Sequence, residues 1–161
     1  MKLYKDYPLN KYVGAIAQRQ PVPGGGSAAA LTAALGVSLV MMVAQYSRGK
    51  TGSPSKERRL KTIIQKCRRI QKRLMDLVDL DAISYLNVVK AREMKSGSLR
   101  RARQQARKVP QEVCRLSFQT VAMMSFLVKS GNLNLISDVE VALELLSAAF
   151  RSARILAAVN Q

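Results

Sequence analysis

The sequence predicts an all-α protein, a bundle of about five helices, on three observations. Apolar residues beyond position 53 recur at three- and four-residue steps, which is the period of an amphipathic helix. Helix start and stop signals punctuate the chain, and no segment reads clearly as a strand. The 161 residues are 48% hydrophobic, enough to build one core, so a single domain over residues 1–161 is expected.

A short helix is expected around Asn10 to Arg19. It precedes Gln20-Pro21-Val22-Pro23, after which Gly24, Gly25 and Gly26 lead into small apolar residues. Three consecutive glycines weaken a regular element, because glycine gives up the most conformational freedom on folding. Two readings stay open. The triplet makes a tight turn that Ser27 caps, or it keeps the backbone bare for a ligand at a helix entrance, where free N–H groups and the helix dipole favour negative charge.

From Ser27 to Ser47 the chain carries no formal charge, which meets the length criterion for a membrane span. Ala, Gly, Ser and Thr fill most of its first half and Gln45 sits near its end. Such a helix fits among other helices at close approach better than against lipid, with Gly36 at a tight crossing, so no membrane partner is expected.

Ser53-Pro54 reads as an N-cap with proline at the first helical position, and Glu57 complements the dipole in the first turn. Leu60, Ile63, Ile64, Cys67, Ile70, Leu74, Leu77 and Val78 then mark one face of a long helix reaching Glu93. Ser96-Gly97-Ser98 breaks it. The next helix is expected from Leu99 toward Lys129, kinked at Pro110, with Gly131 closing it as a left-handed cap. Ser137-Asp138-Val139-Glu140 has the form of a capping box and announces a last helix through Asn160.

Charge is lopsided: 27 Lys and Arg face 10 Asp and Glu, no histidine is present, and the net charge is +17. The chain should attract anions, whether nucleic acid, an acidic membrane surface or a polyanionic small molecule. Nine basic residues fall between Lys56 and Arg73, and Arg100, Arg101, Arg103, Arg107 and Lys108 form a second cluster. Charged runs on amphipathic helices are usually solvated faces. No helix-turn-helix organisation is evident and aromatics are sparse, so nucleic acid is possible but not favoured.

With no histidine, Ser-His-Asp and Cys-His catalysis within this chain and histidine metal sites are excluded. Cys67 and Cys114 lack metal-ligand spacing, so no metal is expected, and two isolated thiols without a secretory leader fit a reducing cytoplasm. Acid–base chemistry therefore falls to carboxylates, Lys, Tyr or Cys.

Five ordered segments point further: Pro23-Gly24-Gly25-Gly26-Ser27 before an Ala-rich helix, Arg48-Gly49-Lys50, Asp79-Leu80-Asp81-Ala82, Val109-Pro110, and Gly131-Asn132-Leu133-Asn134 with Ser137-Asp138. Over nearly the whole chain this pattern resembles the cyclodeaminase/cyclohydrolase family, an all-helical, dimeric domain that processes tetrahydrofolate adducts and occurs alone or fused behind formiminotransferase. The resemblance implies a homodimer with no prosthetic group and a tetrahydrofolate derivative, with or without a polyglutamate tail, as substrate. It implies cyclodeamination of 5-formimidoyltetrahydrofolate to 5,10-methenyltetrahydrofolate with release of ammonia, with 5,10-methenyltetrahydrofolate cyclohydrolase as the alternative.

On its own, Asp81 reads as an ordinary exposed helix aspartate; the family match makes it the acid–base residue. Asp79 lies about 200° around the helix from Asp81 and is expected to be structural. By the same match Gly24, Gly25, Gly26 and Ser27 bind the substrate, Asp138 bonds the pterin, and Arg48 and Lys50 meet the glutamate carboxylates. Two departures stand out: Leu156-Ala157-Ala158-Val159-Asn160-Gln161 replaces an asparagine-bearing family segment that continues into another helix, and the basic excess is unusual. Both fit a second alternative, a drifted non-catalytic member that binds nucleic acid or another acidic partner.

Overall fold

A computed structural model describes residues 3–94 and 97–159. A 3-10 turn, Tyr4–Asp6, precedes α1 (Leu9–Ile16), α2 (Gly25–Ser47), α3 (Pro54–Glu93) and α4 (Leu99–Ser130), and a second 3-10 turn, Leu133–Leu135, leads into α5 (Ile136–Val159). The described residues contain no strand, as the sequence predicts.

α2 is the centre of the bundle, packed by α3, α5 and α4. Its inner surface is Ala30, Ala33, Ala34, Val37, Val40, Val43 and Ala44, all nearly inaccessible to solvent. Small side chains let neighbouring helix backbones approach closely. At Gly36 the neighbour leaves no room for a side chain: a Cβ would lie 2.8 Å from Leu146 Cγ and 3.2 Å from the Ala142 carbonyl oxygen of α5. The expected tight crossing is therefore the α2–α5 contact. α2 is also long and apolar enough to cross a membrane, but more than half of its most apolar stretch is buried by its neighbours.

α3 buries the stripe Leu60, Ile63, Ile64, Cys67, Ile70, Leu74, Leu77 and Val78, the residues that its periodicity marks. α5 buries Val139, Ala142, Leu146, Ala149 and Ala153, again at three- and four-residue steps. α4 runs on through the buried Pro110, whose missing N–H leaves the Ala106 carbonyl without its usual helical donor.

Several helix ends differ from expectation. α1 stops at Ile16 rather than Arg19, and the Gln20 side-chain amide donates back to the Ala15 carbonyl at 2.9 Å, holding the chain in a turn. α2 starts two residues before Ser27, so Gly25 and Gly26 are its first turn and Ser27 does not cap it. Ser53 precedes α3 as expected, but its hydroxyl meets Ser55 Oγ at 2.9 Å instead of capping. Gly131 is extended, with φ −84 and ψ −174, not left-handed. Glycine is needed there because a Cβ would collide with the Leu127 carbonyl. Ser137 lies inside α5, because the preceding 3-10 turn runs directly into that helix and removes the need for a capping box. Ser96 and the last two residues, Asn160 and Gln161, fall outside the described residues.

Candidate functional site

A cleft of about 450 Å³ opens where the start of α2 meets α3. Pro21, Val22, Gly24, Gly25 and Gly26 form one wall. Asp81, Ser84, Tyr85, Val88 and Arg92 form another, and α4 adds Arg103 and Ala106 while α5 adds Leu156 and Val159. The α3 residues stand at positions 81, 84, 85, 88 and 92, steps of three and four that align them on one helix face.

Among the described residues Asp81 is the single carboxylate in this lining. Its Oδ2 accepts a 2.9 Å hydrogen bond from the Ser27 backbone N–H, one of the donors that a helix start leaves unpaired. Burial raises its pKa above the ordinary aspartate value, and the Ser27 amide opposes that shift only in part. A carboxyl group so placed exchanges protons closer to neutrality than a solvated aspartate does.

The glycine triplet divides into three cases. None of the three residues has a positive φ, so backbone freedom does not account for them. At Gly26 the reason is steric: a Cβ would overlap the Asp81 carboxylate, with Oδ2 only 2.7 Å away. At Gly25 a Cβ would merely touch Leu156 Cδ2 at 4.0 Å, and at Gly24 it would meet nothing within 4 Å. What comes close to Gly26 is the protein's own acid, while Gly24 leaves the cleft wall open. Among the described residues the Gly25 and Gly26 amides have no acceptor, leaving two N–H donors at the positive end of α2.

Ser27 itself lines none of the cleft. Its side chain is fully buried, and its hydroxyl shares a 2.8 Å hydrogen bond with Tyr12 of α1. Tyr12 thereby ties α1 beneath the start of α2. Asp79 is likewise structural: buried on α3, it accepts from the Tyr4 backbone N–H at 2.6 Å, and Lys5 pairs with Asp76 one turn earlier. Tyr4 in turn donates its hydroxyl to the Val22 carbonyl at 3.1 Å, so the amino-terminal turn braces the cleft wall from behind.

Arg48, Lys50 and Asp138 are not brought to this cleft within one chain. Arg48 lies 23 positions along α2 from Gly25, about 34 Å along the axis. Asp138 lies 18 positions along α5 from Leu156, about 27 Å along its axis. Both distances point to the other end of the bundle, where Ser47 Oγ accepts from the Asn132 N–H at 2.9 Å. Glu57 organises the loop there: its Oε1 accepts from the Gly49 N–H at 3.0 Å, the Thr51 N–H at 3.4 Å and the Thr51 hydroxyl at 2.6 Å. Those bonds, the Thr51 hydroxyl foremost, hold the Glu57 carboxyl below its ordinary pKa.

Sequence reasoning missed Ser84, Tyr85 and Arg92. The signal was present in their spacing from Asp81, which the same helical period makes visible once Asp81 is taken as an origin. Arg103 stood out only as one of a basic cluster.

A family model described as Formiminotransferase-cyclodeaminase matches residues 8–161. The chain is 28% identical to a methenyltetrahydrofolate cyclohydrolase of Methylorubrum extorquens, over 94% of this chain and 78% of that one. It is 32% identical to a formimidoyltransferase-cyclodeaminase of Gallus gallus over 88% of its length, and spans only 28% of that larger protein. A crystal structure of formiminotetrahydrofolate cyclodeaminase from Thermotoga maritima superposes with a TM-score of 0.93 at 29% identity, covering 97% of this chain and 79% of the other.

Proposed function

This chain belongs to the formiminotransferase-cyclodeaminase family, and from that premise we propose that it is an enzyme of folate one-carbon metabolism that cyclodeaminates 5-formimidoyltetrahydrofolate to 5,10-methenyltetrahydrofolate. The observation that carries the reading is a partly desolvated carboxyl, Asp81, held at a helix start in a cleft of about 450 Å³. Cleft volumes of this order suit a drug-sized organic molecule.

In the reaction the substrate's N10 attacks the carbon of the N5 formimino group, which is protonated on its nitrogen, and a new N10–C bond forms. Asp81 accepts the N10 proton and returns it to the formimino nitrogen, whose bond to carbon then breaks as ammonia leaves. Charge balances, because a formamidinium cation becomes a methenyl cation. The Ser27 amide fixes one oxygen of the carboxylate, and the second oxygen is then the one available for proton transfer. An ionised Asp81 also lies where it stabilises the cationic product. Hydrolysis of the methenyl cation to the 10-formyl adduct is the second reading, supported by the cyclohydrolase likeness; there the same carboxylate deprotonates the attacking water.

The chain acts in this reading as a homodimer. Support comes from the outer face of α2, where Leu35 and Tyr46 are exposed and Leu31, Leu39 and Met42 half-exposed at helical spacing, an apolar stripe suited to a second copy. Free thiols at Cys67 and Cys114 support a reducing, cytoplasmic setting. Steady-state assays with the formimino and methenyl adducts, followed by the methenyl absorbance, test the reaction. Ammonia release with a rise in that absorbance selects the first reading, loss of methenyl absorbance without ammonia the second, and no change with either adduct removes both.

A further inference from the structure

The cleft changes character along its length. Asp81 stands beside the free amides of α2, Tyr85 and Val88 follow it along α3 with Arg92 beyond them, and α4 adds Ala106 and Arg103 to the same lining. Arg92 is eleven positions beyond Asp81 on the same face of α3, about 16 Å along the axis. Arg103 comes from α4, so the two guanidinium groups approach the cleft from different helices. Among the described residues neither is in an ion pair: the three acid–base pairs formed use Lys5, Arg73 and Arg115. Among the described residues the one carboxylate in the lining is Asp81, eleven positions from Arg92 along α3.

Two unpaired guanidinium groups that reach one cleft from different helices are suited to carboxylates, which they bind through paired N–H donors. We propose that Arg92 and Arg103 form a two-sided clamp for the glutamate carboxylates of the substrate, and so determine specificity for an acidic tail. The inference rests on the folate reading above: the ring system sits against Asp81, its aromatic linker crosses Tyr85 and Val88, and the tail ends between the arginines. Arg48 and Lys50, to which the sequence pointed for this task, are too far away along α2 to serve the same cleft in one chain.

The test compares kcat/KM for the formimino or methenyl adduct with that for the same adduct whose two glutamate carboxylates have been converted to primary amides, which keeps the shape and removes the charge. A charge-assisted hydrogen bond contributes enough that the wild-type chain should prefer the acid about tenfold or more. In R92Q/R103Q that preference should fall toward one, and in R100Q/R101Q, which alters neighbouring arginines outside the cleft, it should stay. If the double variant does not fold by circular dichroism, R92Q and R103Q are measured singly, and each should lose part of the preference. A wild-type ratio near one, or an equal loss in R100Q/R101Q, overturns the clamp while leaving the folate reading standing. Failure of the wild-type chain to bind or turn over either adduct removes the folate reading itself, and the clamp with it.

Discussion

The two ends of α2 both carry glycines, and the glycines are there for opposite reasons. At the amino end, Gly26 has an unremarkable backbone and is bare because the Asp81 carboxylate fills the place of a side chain. At the carboxyl end, Gly49 and Gly52 have open space around them but positive φ angles of 73° and 61°, which L side chains rarely adopt. One end is shaped by what packs on the backbone, the other by how the backbone turns. The acids differ in the same way. Asp81 is pushed up by burial and keeps one backbone donor, whereas Glu57 is held down by three donors of the loop that it closes. A proton-transfer group needs the first environment; a loop staple needs the second.

The largest effect that this contrast predicts is on turnover. Asp81→Asn keeps the shape and an acceptor for the Ser27 amide but exchanges no protons, so kcat should fall about 100- to 10,000-fold with the fold unchanged by circular dichroism. Glu57→Gln, at the far end, should leave kcat within about twofold of wild type, since general acid–base losses of that size belong to groups at the reacting atoms. Comparable losses in both variants would erase the distinction between the ends.

Next in size is a steric test. Gly26→Ala pushes a methyl group into the Asp81 carboxylate and should cost about 1–3 kcal/mol in denaturant unfolding, the range for overpacking. Gly24→Ala, which meets nothing, should cost far less. Coupling is the sharper measure. In the Asp81→Ala background the collision is gone, so Gly26→Ala should lose most of its penalty, a non-additivity expected of residues in contact. An equal penalty in both backgrounds would mean that Gly26 is required for some other reason. At the carboxyl end Gly49→Ala and Gly52→Ala should each cost about 1–2 kcal/mol through the left-handed backbone alone, with no dependence on the residue at position 81.

Much of the helical framework was legible, because burial follows period. The α3 stripe from Leu60 to Val78 and the close crossing at Gly36 are both written in residue type and spacing. Helix ends were less so. Gly131 reads as a left-handed cap by its position, yet its backbone is extended and the requirement comes from the Leu127 carbonyl. Ser137 and Glu140 have the form of a capping box, but a 3-10 turn starts the helix one residue earlier. For the cleft, sequence grouped Gly24, Gly25, Gly26 and Asp81, which do meet, with Arg48, Lys50 and Asp138, which do not. Proximity of motifs along a chain says nothing of which end of a long helix they occupy. Arg92 went unnoticed because a lone arginine in a basic chain carries no signal until the helix face that it shares with Asp81 is known.

The smallest predicted effect concerns how stability varies with pH, and its sign separates the two acids. For Asp81 the folded-state pKa is raised above the unfolded one, so between those two values the folded chain holds more protons and stability falls as pH rises. For Glu57 the folded-state pKa is lowered, so its contribution is present above the ordinary glutamate value and is lost as pH falls through the folded value. Melting curves recorded from about pH 3 to pH 7 should therefore show Asp81→Asn gaining on wild type as pH rises, with the difference levelling once Asp81 is ionised in both states. Glu57→Gln should behave oppositely, falling further behind wild type as pH rises from the acid side. Asp79, also raised by burial, keeps its own slope in both variants, so the comparison is made on differences from wild type rather than on absolute melting temperatures. An Asp81→Asn variant that instead falls further behind wild type as pH rises would mean that the native cleft stabilises the ionised carboxylate, and that Asp81 resembles Glu57 after all.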